Sequence, residues 1–138
     1  MTRPPFPLAD LVPPELQPYL LDFHWDLAVL HRLDLPTTRV PLAELAPHLD
    51  LPFWLYEGRP FQVTPHQVAA DPARYHEQYR RTMAADLQHP LDVVRRPDGR
   101  LTILDGVHRL LRAELEGRDV VAVRVLEWES LDEIAVRG

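Results

Sequence analysis

Apolar positions recur along the chain with two different spacings. Between residues 15 and 33, Tyr19, Leu20, Phe23, Leu27, Leu30 and Leu33 stand three or four apart, which predicts a helix with Pro18 in its first turn. Thr37-Thr38-Arg39-Val40 reads as a short strand and residues 41–49 as a short helix, while Phe53-Trp54-Leu55-Tyr56 fits either type and belongs to the core. Residues 73–87 contain no helix breaker and carry Tyr75, Tyr79, Met83 and Leu87 at four-residue intervals. Asp71-Pro72 precedes them as a cap and a first-turn proline, so a helix is expected here. Residues 91–95 and 100–104 flank Arg96-Pro97-Asp98-Gly99, where Asp-Gly offers the positive backbone angles of a tight hairpin turn. Residues 107–116 then form a helix with Val107, Leu111 and Leu115 on one face. Gly117 ends it, and the β-branched run over residues 120–126 is a buried strand.

Composition divides the chain in a similar way. Of 15 prolines, 13 fall within residues 1–72. Residues 1–60 are therefore read as a Pro-rich, partly helical N-terminal extension packed on a core over residues 61–138. A chain of 138 residues suits one compact domain overall, in the α/β (α+β) class. The formal charge is -6, and only residues 59–100 carry an excess of Arg, 7 against 5 acidic residues. That surplus is too small for a protein held on duplex DNA by counterion release, but not for one that binds a small anion. There is no Cys, Lys or Asn, and Ser130 is the sole serine. Disulfides, thiolate catalysis, Schiff bases and a lysine-bearing phosphate loop are excluded, and Ser130 lacks the G-x-S-x-G turn of a serine hydrolase. No apolar run approaches a membrane span and no signal-peptide core is evident, so a cytoplasmic protein is expected.

The chemistry concentrates where a strand passes through Asp105-Gly106 into a helix that starts Val107-His108-Arg109. Amides at a helix N-terminus lack internal acceptors and lie at the positive end of the dipole, so those of Val107, His108 and Arg109 can face an anion. Gly106 permits close backbone approach. Arg109 can hold phosphate oxygens in a fork, His108 can donate a hydrogen bond or move a proton, and Asp105 can cap the helix or hold a metal.

Asp92-Val93-Val94, Pro97-Asp98-Gly99, residues 103–110, Ala113, Gly117 and Val121-Ala122-Val123-Arg124-Val125 together resemble the core of the ParB/sulfiredoxin superfamily over about residues 73–126. The resemblance implies a small mixed sheet with flanking helices. It also implies a G-x-x-R loop that binds nucleotide phosphates through Asp105, Gly106, Val107, His108 and Arg109. Sulfiredoxins carry Cys where this chain has Val107, which excludes their chemistry, and ParB partition proteins carry G-E-R-R with a following helix-turn-helix. The loop is most similar to the D-G-H-H-R of the free-serine-kinase-like branch, differing at Val107. That likeness implies ATP or ADP with Mg2+ as cofactor and a small hydroxyl substrate.

A phosphotransferase also needs a carboxylate to position the nucleophile. Glu77 and Asp86 are candidates, and nine residues place them on opposite sides of one helix, so at most one faces the site. Asp86, nearer the hairpin, is preferred, and with Asp105 and His108 it makes up the expected catalytic set. His76 and Arg80 read as surface. His24 and His31, seven apart on the same expected helix, show no zinc-binding motif, and no carboxylate cluster for a metal is visible. The competing readings are a non-enzymatic nucleotide-binding module whose first 60 residues contact a protein partner or a second copy, and a ParB-like nuclease.

Overall fold

The computed structural model describes residues 3–137. Its helices and strands in chain order are α1 (Leu27–Arg32), β1 (Thr37–Pro41), α2 (Leu42–Leu45), β2 (Trp54–Tyr56), β3 (Arg59–Val63), α3 (Pro65–Ala70), α4 (His76–Met83), β4 (Leu91–Arg95), β5 (Leu101–Asp105), α5 (Val107–Leu115) and β6 (Val120–Glu127). The fold is mixed α/β, as expected.

β4 and β5 form the expected hairpin. Gly99 N–H donates to Arg96 O at 2.8 Å and Arg96 N–H to Arg100 O at 2.8 Å, which makes a three-residue loop. Gly99 alone takes a positive φ there, 89°, so Asp98 instead serves the turn through its side chain, accepting from Arg100 N–H at 3.0 Å. α5 ends at Gly117, φ 75°, where Arg118 N–H reaches back to Ala113 O at 3.0 Å, closing the helix in a Schellman turn. β6 then inserts between β1 and β4, giving the order β1-β6-β4-β5, with β6 parallel to β4 and antiparallel to β1.

Alternation along the strands feeds two cores. Leu91, Val93, Ile103, Val121, Val123 and Val125 face Leu42, Leu45, Val68, Leu110 and Leu111 of the helical layer. On the opposite face, Val94, Leu104 and Leu126 meet Leu21, Phe23, Leu30, Leu131 and Ile134. Both faces being covered explains the nearly continuous apolar run of β6. Residues 37–49, which proline content groups with an extension, supply edge strand β1 and part of the helical layer, so no structural boundary falls at residue 60.

Two helix expectations need correction. Residues 15–33 contain a 3-10 turn at Gln17–Tyr19 and the short α1, with irregular chain that bends at Leu20, Asp22 and Phe23 between them. Leu21 and Phe23 are buried on either side of exposed Asp22, and Trp25 bridges to Ala135. α1 begins only where Asp26 Oδ1 accepts the Ala28 and Val29 amides at 2.9 and 3.2 Å. The helix expected over residues 73–87 is limited to His76–Met83. Asp71 ends α3, its N–H donating to Gln67 O at 3.1 Å, and it also caps the turn that leads into α4 as expected, its Oδ1 accepting Arg74 N–H at 3.3 Å and its carbonyl Tyr75 N–H at 3.1 Å.

His48 closes the free edge of β5. It is 1% exposed, its Nδ1–H donates to Leu45 O at 2.9 Å, and its Nε2 accepts from Ile103 N–H at 3.2 Å. Burial holds its pKa below the ordinary value, and only the neutral ring can accept from Ile103. The unfolded chain takes up a proton at this residue below about pH 6.5, so its stabilising contribution is complete above that pH and falls as the pH drops. Urea unfolding at pH 7 and pH 5 is expected to show a smaller loss of stability in His48→Gln than in the wild type, with the variant about 1–2 kcal/mol less stable at pH 7.

Candidate functional site

The sheet register places charged residues side by side. Arg124 on β6 is the partner of Asp92 on β4, and Asp92 is the partner of Asp105 on β5, so Arg124, Asp92 and Asp105 form a row across three adjacent strands. A bulge makes this alignment. Val93 pairs with Ile103, and regular antiparallel pairing would then set Asp92 opposite Leu104; the shift between Asp92 and Val93 brings in Asp105 instead. Asp92 lies on the sheet face that α1 covers, and α1 delivers His31 to the same place.

His31 Nε2 lies 2.7 Å from Asp105 Oδ2 and 3.7 Å from Asp92 Oδ2. Arg124 Nη1 stands 3.0 Å from Asp92 Oδ1, while its Nη2 donates to Leu33 O and, at 3.4 Å, to Leu30 O, fastening the end of α1. Although close to Arg124, Asp92 Oδ1 is off the N–H direction and accepts no hydrogen bond; the contact is an ion pair only. Asp92 is 2% exposed, and burial raises its pKa despite the opposing pull of Arg124 and His31.

Arg109, one turn after Asp105 and 18% exposed at its side chain, bends over Gly106. Its Nη2 donates to Asp105 Oδ2 at 3.2 Å and its Nη1 to Pro90 O and, at 3.4 Å, to His89 O. Among the described residues, its Nε–H has no acceptor, so the guanidinium keeps a donor for a ligand. Gly106, the N-cap of α5 at φ 120°, allows this arrangement: a Cβ there would stand 2.9 Å from Leu91 Cγ and 3.4 Å from Arg109 Cζ.

All of these groups border one cleft of about 790 Å³, as do Asp86, Val107, His108 and Arg81. The structure thus collects Asp86, Asp105, Gly106, Val107, His108 and Arg109 around one space, and leaves Glu77 outside it in an exposed pair with Arg80 at 2.5 Å. Asp86 lies beyond the end of α4, exposed, its Oδ1 accepting Gln88 N–H at 2.9 Å.

His108, expected to donate a hydrogen bond or move a proton, is held by its neighbours. Its ring stacks on Trp54 at 4.2 Å and 10°, and its Nε2 lies 2.8 Å from Gln78 Oε1. Gln78 is oriented by donating its own Nε2 to Leu55 O at 3.2 Å, so the imidazole donates through Nε2–H. Burial first, then the charge of Arg81, push its pKa down to about 4, which leaves it neutral at pH 7. His24, expected near His31, instead sets its ring edge-on to Phe6 at 6.3 Å.

The expectation that no carboxylate cluster forms is also corrected, because His31, Asp92 and Asp105 bring one donor atom each to within 4.8 Å of one another. Sequence reasoning missed Asp92, Arg124 and His31 as a set. The available signal was one acidic and one basic residue, each inside an otherwise apolar strand. No family model, curated protein or solved structure matches the chain. No helix among the described residues is long and apolar enough to cross a membrane.

Proposed function

We propose that the cleft binds the phosphate tail of a nucleotide of the ATP or ADP type and that the protein is a small phosphotransferase of the cytoplasm with a ParB/sulfiredoxin-like core. The observation that carries this reading is Arg109, which borders the cleft with its Nε–H unused and its guanidinium held over Gly106 at the start of α5, where the helix amides add positive potential. Arg81 borders the same cleft and would add a second cation for the phosphates. Asp92 and Asp105 supply carboxylate oxygens of the kind Mg2+ takes, so the donor set fits a magnesium nucleotide and these two residues would hold the ion. When bound, the ion would neutralise phosphate charge. Asp86, exposed at the rim, is the carboxylate placed to orient a small hydroxyl substrate. Neutral His108 acts here as a fixed support: held by Trp54 and Gln78, it sets the first turn of α5 in position.

A second reading, a nucleotide-binding module without turnover that serves a protein partner or a second copy, is favoured by the engagement of Asp105 with both His31 and Arg109. The nuclease reading gains a carboxylate cluster but still lacks a basic groove.

A thermal-shift panel of ATP, ADP, CTP and pyrophosphate with magnesium checks the proposal. At least one adenine nucleotide is expected to raise the wild-type melting temperature, and Arg109→Ala should reduce that shift at least threefold. Equal shifts in the two proteins would refute the Arg109 assignment, and no shift in the wild type would refute nucleotide binding. Consumption of ATP in the presence of small hydroxyl compounds separates the enzyme from the module.

A further inference from the structure

We propose that His31, Asp92 and Asp105 form a resident site for a divalent transition-type cation such as Mn2+ or Zn2+, which the chain binds by its own side chains before any nucleotide arrives. This extends the nucleotide reading, the resident ion taking the position between Asp92 and Asp105 that Mg2+ would otherwise hold, and it stands without that reading.

Three observations converge. The first is spacing: His31 Nε2 lies 2.7 Å from Asp105 Oδ2 and 3.7 Å from Asp92 Oδ2, and the three donors fit within 4.8 Å. Ligand atoms about 2.1 Å from a shared ion stand roughly 3–3.5 Å apart, so shifts of about an ångström bring all three onto one cation. The second is Asp92 itself. Asp92 is 2% exposed and borders the cleft, and among the described residues its carboxylate accepts no hydrogen bond, Oδ1 meeting Arg124 only as an ion pair and Oδ2 lying 3.7 Å from His31 Nε2. A buried carboxylate without hydrogen bonds is costly, and a cation on the cleft side would relieve that cost. The third is that the donors are set in place from several directions. The strand bulge brings Asp105 opposite Asp92, and Arg124 fastens the end of α1 that carries His31.

The donor chemistry selects the ion. Two carboxylates alone would suit Mg2+ or Ca2+, but an imidazole among three protein ligands favours Mn2+, Zn2+ or Fe2+. Three protein ligands also leave coordination positions open toward the cleft, the arrangement of a site that receives a water or an oxygen of a substrate. Arg109 shares Asp105 Oδ2 with His31, so it competes with the cation for that oxygen.

Titration of the metal-stripped full chain with MnCl2, followed by the loss of the free Mn2+ paramagnetic resonance signal, tests the site. One Mn2+ per chain is expected, with nitrogen modulation of the bound ion from a coordinated imidazole. His31→Ala, an exposed position whose loss leaves the core intact, should remove the modulation and weaken binding at least tenfold. Asp92→Asn should weaken it similarly, while His24→Ala should keep both signals. No binding by the wild type at millimolar Mn2+, or binding and modulation unchanged in His31→Ala, would overturn the proposal. Because the titration contains no nucleotide, such a failure leaves the Arg109 result standing, and a failure of the nucleotide panel leaves this one standing.

Discussion

Gly106→Ala is expected to lower the melting temperature by about 10 °C and to abolish stabilisation by nucleotide in the protein that remains folded. The added methyl would stand 2.9 Å from Leu91 Cγ and 3.3 Å from Leu91 Cβ, in a residue whose φ of 120° side chains rarely adopt. Each of these faults costs about 1–3 kcal/mol, and their sum, about 3 kcal/mol, corresponds to a shift of roughly that size in a domain of this length. Relief requires β4 and the start of α5 to separate, which carries Arg109 away from Asp105 and the carbonyls at residues 89 and 90. Calorimetry gives the first effect and a nucleotide titration well below the melting point gives the second. An unchanged melting temperature would show that α5 can shift without strain.

Replacing Arg124 with Met should cost about 3 kcal/mol, because it leaves the Asp92 carboxylate buried without its cation and also unfastens α1. Asp92→Leu in the same background should restore most of that loss, since an apolar pair of similar volume fits between Val94, Leu104 and Leu126. Urea unfolding of the four proteins of this cycle gives the coupling directly. The pH dependence has a definite sign. Asp92 already titrates above its ordinary value, and loss of Arg124 raises it further. The folded Arg124→Met protein then binds a proton that the unfolded chain does not, from the raised pKa down to about 4. The deficit relative to wild type should shrink as the pH falls through that interval, and a deficit that grew instead would place the damage at α1.

The parts of the fold legible in the sequence are those fixed by neighbours in the chain. Asp98-Gly99 marks the β4–β5 turn, Gly117 ends α5, and the β-branched run from Val120 gives β6. α3 also carries a local signal, Thr64 and Gln67 in a reciprocal capping box with Pro65 in the first turn. The expected helix over residues 15–33 failed because burial there does not follow the three- and four-residue spacing: Leu21, outside it, is buried beside Phe23, while Tyr19 and Leu20 are half-buried and Leu27 is exposed. The Gly106–Arg109 half of the site could be read locally. The Arg124–Asp92–Asp105 row could not, because it depends on the parallel pairing of β4 with β6 and on a one-residue bulge, neither of which leaves a local mark.

The position of β6 has a consequence for how the molecule assembles. β1 pairs with β6, which follows it by some eighty residues, and β6 alone joins β1 to the hairpin. Closing so long a loop is slow, and until it closes both β1 and the outer side of β4 remain open edges. Arg124 arrives with that last strand, so Asp92 gains its counter-charge and α1 its anchor in the same event. A chain in which β6 has not yet paired therefore lacks the Arg124–Asp92 half of the cleft and the anchor of α1, although the Gly106–Arg109 half lies within the β4–β5 hairpin and α5.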